Sequence, residues 1–513
     1  MRNPFPRLLL LAVMCCNSLC LTSSFAAKLE LEAKQEKPKM MKGRTWNLLK
    51  YDNGDVIAYE NTSSAFSLVR FDKTFTVKQE NSVKKAPKNL AYINVGESRI
   101  DAVLYDKNNI QHLTFDRNTL QVLKTDILLE QQKYKGSAAK YSHVFVQTSP
   151  NGKYIAVFAM WEHSGSMAFS SNQLLLYNDQ FEKVGGWSID EDMRHLTLDS
   201  KASYALWQYY YPTFKLCDDG TVVYAALSDY ASNLYSSEFG SGSFLKVHVL
   251  TKDGDKEHDF GMVAAKKHLQ NPCILSYDGS KLLLSTDVFT YPPAKVNNYK
   301  EFVYRIDGYC MLECDLIENK VASETGTYED TYTGIVESGA WNLSYTNVGG
   351  SAPYGIVSPL AFEDKGYLRT YDQNRLGLVM MDTKGQNRKT FTLGYAYTQT
   401  NKGMIGGAVT SHMHDLQMQQ AVYTESNTTL CTAVKGNLYY WVVLGAIADG
   451  SWSKEKYQTT LSVNVYDISN RTAVSDVVFQ QKSREAMPVQ ALPVSEGKYL
   501  ILIDNCQWGT LEL

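Results

Sequence analysis

The chain has 513 residues and a formal net charge of −3. It carries no basic stripe and no Arg-rich tract, which excludes the electrostatic footprint of a nucleic-acid-binding protein. Its composition is 44% hydrophobic and only 20% charged, with 34 tyrosines and 33 glycines, a balance that favours strands and turns over helices and makes an all-β fold the expectation.

Residues 1–26 read as a secretory signal peptide. Arg2 and Arg7 precede an apolar run from Leu8 to Leu21 that is short for a membrane span, and Ser24-Phe25-Ala26 fits a small-x-small cleavage site. The expected product is an exported, periplasmic or extracellular chain beginning at Ala27 or Lys28. Lipoprotein anchoring at Cys20 is disfavoured, because Leu19 stands where a small residue is normally required. No later segment has the length and apolarity to cross a bilayer as a helix.

From Tyr51 onward one grammar recurs: a short strand, a turn built on Gly, then an apolar strand. The copies are YDNGDVIAYE from Tyr51, NVGESRIDAVLYD from Asn94, SPNGKYIAVFA from Ser149, CDDGTVVYAAL from Cys217, SYDGSKLLLST from Ser276, FEDKGYLRTYD from Phe362, AVKGNLYYWVVL from Ala433 and VSEGKYLILID from Val494. Gly and Asn accept the positive φ of tight hairpin turns, and the β-branched and aromatic residues that follow suit a pleated surface. Most copies are followed by a third strand ending near Asp or Asn, a turn and a fourth strand, as in FSLVRFDKTFTV from Phe66 and IQHLTFDRNTLQVL from Ile110.

Four short antiparallel strands per unit, repeated along the chain, predict a β-propeller. The expected blades cover residues 44–80, 88–128, 142–186, 212–262, 271–326, 353–394, 428–480 and 488–513 of a single domain spanning 27–513. The last copy has room for only three strands, so KLELEAK, Lys28 to Lys34, is expected to supply its fourth and close the ring. The alternative is seven blades, if the copy at Gly366 is not a blade. The Ser149, Cys217 and Ser276 motifs resemble those of TolB-like and WD40-like propellers of exported bacterial proteins, a resemblance that implies architecture and leaves function open.

In such a blade the first-to-second and third-to-fourth connections share one face of the disc, and the second-to-third and blade-to-blade connections share the other. The first class is nearly all tight turns. The long insertions, starting at Trp161, Gly186, Ser228, Asp287, Tyr328, Tyr397 and Gly445, all fall in the second class. Long connections on a rigid scaffold are where binding or catalysis usually sits.

Those insertions carry the candidate ligand-binding residues Trp161, Trp187, Trp207, Tyr209, Tyr210, Tyr230, Trp341 and Trp452, whose rings can stack on sugar faces or anchor a protein partner. Equally, they can pack the insertions onto one another. His412 and His414 would point to one side of an extended segment, the spacing of two ligands of one metal. They resemble in part the paired histidines that hold manganese in propeller-fold oligogalacturonate lyases, although Val409 stands where that family has Gln. Glu191 with Asp192, and Glu329 with Asp330, offer carboxylate pairs of the kind glycoside hydrolysis uses.

No catalytic signature is complete: G-x-S-x-G, P-loop, dinucleotide fingerprint and C-x-x-C are all missing. The first expectation is therefore a cofactor-free binding or scaffold protein for a glycan or protein ligand. The second is a carbohydrate-active hydrolase or lyase using the same face. Outside the leader, Cys217, Cys273, Cys310, Cys314, Cys431 and Cys506 leave disulfide pairing open, except that Cys310 and Cys314, about 13 Å apart on one strand, cannot pair.

Overall fold

A computed structural model of the protein describes residues 27–130, 133–134, 137–138, 140–162, 169–192, 213–229, 243–264, 268–290, 305–327, 356–361, 367–371, 375–381, 389–395, 400–401, 422–423, 426–449, 456–467, 469–470, 472–484 and 487–513. Apart from a 3-10 turn at Lys39–Met41, the regular structure of these residues is β. Seven four-stranded antiparallel sheets form from consecutive strands, at 47–84, 89–130, 140–192, 213–264, 268–327, 356–395 and 426–483. An eighth joins Val489–Ser495, Lys498–Ile503 and Gln507–Glu512 to the N-terminal strand Lys28–Leu31. Lys28 lies opposite Glu512 and Leu31 opposite Gly509, and Gly509 has no side chain for a reason: a Cβ there would stand 2.8 Å from Leu31 and 3.1 Å from the Glu30 carbonyl.

The turn chemistry explains why each repeat folds back on itself. Asn53 and Gly54 both have positive φ, 51° and 90°, as a two-residue turn matched to strand twist requires. The third-to-fourth turns use a different device. Asp72, Asp116, Asn178 and Asp315 each accept hydrogen bonds through Oδ1 from backbone N–H groups two to four residues on. In three of these turns the chain then puts a buried apolar residue, Phe75, Leu120 or Phe181, in the left-handed region with φ of 61°, 57° and 59°. That conformation costs an L-residue about 1–2 kcal/mol. Burial of a large side chain, about 1.5–3 kcal/mol, offsets it.

These three residues plug the sheet that comes before. Phe181 stacks on His112 of the second sheet, Leu120 sits in a cluster with Ile57, Phe66 and Leu68 of the first, and Phe75 stacks on Trp508 of the eighth. The first strands of sheets one to six touch in succession, those of seven and eight touch each other, and that of the eighth touches that of the first. Apolar clusters fill the junctions between sheets one and two, two and three, three and four, four and five, seven and eight, and eight and one. Sheets one to four and the eighth therefore bury both faces against neighbours, which is propeller packing.

Several strands outrun the expectation. They continue to Glu162, Asp192, Asp229, Thr290 and Asp449, so the segments beginning at Trp161, Gly186, Ser228, Asp287 and Gly445 start as strand, not as loop. Cys217, Cys314, Cys431 and Cys506 are free thiols, and Cys310 and Cys314 do share the strand Arg305–Asp315.

Candidate functional site

Strand bounds separate the two faces of the sheet stack. On one lie the short turns 53–54, 73–76, 96–98, 117–121, 149–153, 179–182, 217–221, 252–253, 278–280 and 316–319; on the other the strands end at Asp192, Asp229, Thr290, Thr327 and Tyr395, before residues 193–212, 230–242, 291–304, 328–355 and 396–425, which lie almost wholly outside the described residues. Strands also end on that side at Glu162 and Asp449, beyond the expected starts of the insertions at Trp161 and Gly445.

The short-turn face is laced from sheet to sheet. Trp508 Nε1 and Gln35 Nε2 of the eighth-sheet side both donate to the Lys73 carbonyl, at 2.8 and 3.1 Å. Arg70 donates to the Arg117 carbonyl, and Arg117 in turn pairs with Asp52. Arg99 of the second sheet donates to Gln180 and to the Asp179 carbonyl of the third. Asn151 of the third donates through its amide N–H and Nδ2 to Asp218 of the fourth, at 2.7 and 2.9 Å. Asn319 Nδ2 of the fifth sheet reaches the Asp259 carbonyl of the fourth at 2.9 Å.

The turn acids titrate accordingly. The Thr74 hydroxyl and turn amides hold the Asp72 carboxyl below the usual range, and turn amides, led by those of Thr119, Ser280 and Glu318, do the same for Asp116, Asp278 and Asp315.

On the long-connection face the described chemistry centres on Arg44. Its Nε meets Glu60 Oε2 at 2.8 Å, its Nη1 meets Glu80 Oε1 at 2.9 Å, and its guanidinium lies 4.1 Å from the Trp46 ring centroid. The Thr45 N–H gives Glu60 a further bond at 3.1 Å. The guanidinium has both carboxylates and an aromatic face for partners, so this cluster holds residues 44–46 against the first sheet and leaves no unpaired cation for a ligand.

The aromatic candidates divide. Trp187 lies mid-strand, opposite Leu174, half-buried over Gly185 and packed on the cluster between the third and fourth sheets. Its place is a sheet junction. Trp161 pairs across from Tyr141 near the end of Tyr154–Glu162. Glu191 and Asp192 close the strand Lys183–Asp192, opposite Ser170 and Phe169. Trp207, Tyr209, Tyr210, Tyr230, Trp341, Trp452, His412, His414, Glu329 and Asp330 lie outside the described residues. Among the described residues no group of three or more His, Cys, Asp or Glu side chains could hold a metal ion. No helix among them is long and apolar enough to cross a membrane.

The sequence reading missed a buried polar cluster at the second junction, formed by Asp101 and His112 with Arg99. Asp101 interrupts the apolar strand Arg99–Tyr105, and His112 interrupts the neighbouring Asn109–Asp116. Paired polar breaks in two adjacent core strands were the available signal.

No family model matches the chain, and no curated protein does either. Solved structures similar to it include the WD40 domain of SCAP from fission yeast, at 8% identity and a TM-score of 0.39, covering 94% of this chain and 97% of that one. The Dos1 propeller is similar at 10% identity and a TM-score of 0.35, covering 94% and 82%. An apocarotenoid oxygenase from Synechocystis follows at 10% identity and a TM-score of 0.37, covering 91% and 95%. The fold assignment rests on the strand pairing and junction packing above.

Proposed function

We propose that the chain is an exported propeller of the TolB-like type, its ring of eight blades closed by Lys28–Leu31, that works as a binding scaffold. The ligand is a glycan or a protein, taken on the face of the long connections. The observation that carries this reading is where the strands stop: those ending at Asp192, Asp229, Thr290, Thr327 and Tyr395, ahead of the long stretches of sequence, all end on the side away from the laced short turns. A rigid frame with its variable length gathered on one face is how loop-borne sites are usually presented. Closure is supported by the pairing of Lys28–Leu31 with Gly509–Glu512 and by the packing of the eighth sheet on the first.

The test is a glycan array together with a pulldown, using the chain from residue 27. Wild type is compared with Trp207→Ala/Tyr209→Ala/Tyr210→Ala, with Trp341→Ala/Trp452→Ala, with His412→Ala/His414→Ala, and with Lys153→Ala on the short-turn face. Capture is expected to fall at least tenfold in one of the aromatic sets and to survive Lys153→Ala, a loss of about 1.4 kcal/mol or more. Capture lost only with Lys153→Ala would place the ligand on the wrong face for this account. Export is checked by fractionation, which should yield a chain lacking residues 1–26.

A further inference from the structure

We propose that His112 is a proton-operated latch between the second and third sheets. The ring is 2% exposed and its Nε2 lies 2.9 Å from Oδ1 of Asp101, itself 5% exposed. At that distance from a carboxylate Nε2 must carry a proton and donate it. A neutral ring then has its lone pair on Nδ1. Nδ1 is buried, has no hydrogen-bond partner, and stands 3.8 Å from Oδ2 of Asp126. The neutral form thus turns an unpaired acceptor towards a carboxylate. A proton on Nδ1 converts that contact into donor facing acceptor and places a cation between two carboxylates.

The surroundings tie this proton to the junction. On its own sheet the ring faces Asp101 and Asp126, each with its own cation, Arg99 at 2.8 Å and Lys124 at 2.9 Å, and Thr114 Oγ1 lies 3.4 Å from Nε2. From the third sheet the Phe181 ring stacks on it, centroids 3.6 Å apart and 16° from parallel. Arg99 continues from Asp101 to Gln180 and the Asp179 carbonyl in the same turn as Phe181. The phenols nearby are Tyr177 and Tyr92, both displaced upward first by burial; Asp126 adds to the rise at Tyr177 and Asp101 to that at Tyr92, so both stay neutral here. One protonation on the ring therefore changes the pairing of Asp126 and the charge beneath Phe181 together.

Asp126→Asn is the informative variant. It removes the facing carboxylate, offers an amide N–H to the Nδ1 lone pair, and changes a residue at the partly exposed edge of the junction. Hydrogen exchange of the 179–192 segment would be followed between about pH 5.5 and 8.5, corrected for intrinsic rates, across the range where imidazoles change charge. Wild type should exchange about fivefold faster at the alkaline end, and Asp126→Asn should show a flat profile. Nitrogen NMR of His112 should show Nδ1 protonated at the acid end. An Asp126→Asn profile that matches wild type, or an Nδ1 without a proton at the acid end, would overturn the latch. The Nδ1 readout needs no variant and stays decisive if Asp126→Asn folds poorly.

Discussion

On the short-turn face every described junction from the eighth sheet round to the fifth is tied by a side chain reaching a neighbour's backbone or carboxylate, from Trp508 on the Lys73 carbonyl to Asn319 on the Asp259 carbonyl. On the opposite face the strands of sheets three to five end at residues such as Asp192, Asp229 and Thr290, and the described ties are sparser: the Arg44 cluster, Asn61 Nδ2 on the Lys88 carbonyl and the Leu269 N–H on Ser243 Oγ. The proposed scaffold therefore has most of its described ties on one side of the strands and its binding on the other. Turns that pin the sheets are short, because they must place a capping carboxylate and a plug residue within a few positions of each other. Connections that meet a ligand have no such constraint on length.

Four substitutions or conditions press on that difference, the strongest first. Trp508→Ala removes a fully buried ring that stacks on Phe75 and donates to the Lys73 carbonyl; it should cost about 3–5 kcal/mol in urea unfolding. Arg99→Ala deprives the buried Asp101 carboxylate of its cation and unties the Asp179 carbonyl, for an expected loss of about 1–3 kcal/mol by the same measurement. The turn acids give a pH signature. Asp72, Asp116, Asp278 and Asp315 titrate below the ordinary range in the fold, so their contribution is present above the unfolded value of about 3.9 and is lost as the pH falls through the lower folded value. Acid unfolding of Asp116→Ala/Asp315→Ala should consequently be less steep than that of wild type below about pH 4. Smallest of all, Trp207→Ala in a long connection should change stability by less than about 0.5 kcal/mol while it affects capture. A Trp207→Ala loss as large as that of Trp508→Ala would erase the distinction between the faces.

Much of the frame is legible in the residues because its signals are local. Asn53-Gly54 and Asp219-Gly220 announce hairpins by backbone conformation alone, and KLEL alternates as an edge strand does wherever it pairs. What escapes is decided across junctions. Phe75, Leu120 and Phe181 look like ordinary apolar residues in turns, and only the neighbouring sheet reveals why a non-glycine residue tolerates positive φ there. Trp187 reads as a loop aromatic because Gly185-Gly186 looks like a break, but the strand runs through both glycines and the ring lies over the first. The Asp101–His112 pair needs two strands set side by side before its meaning emerges. The candidate aromatics from Trp207 to Trp452 are visible as composition only, since nothing in a one-dimensional pattern says which of them converge.

The division of labour between the faces is tested most directly by hydrogen exchange of the chain from residue 27, with and without a glycan or protein captured in the screen. The account predicts new protection in peptides from 193–212, 230–242, 291–304, 328–355 or 396–425, with the turn peptides at 73–76, 117–121 and 179–182 unchanged. Protection confined to the turn peptides, with the long connections unaltered, would contradict it.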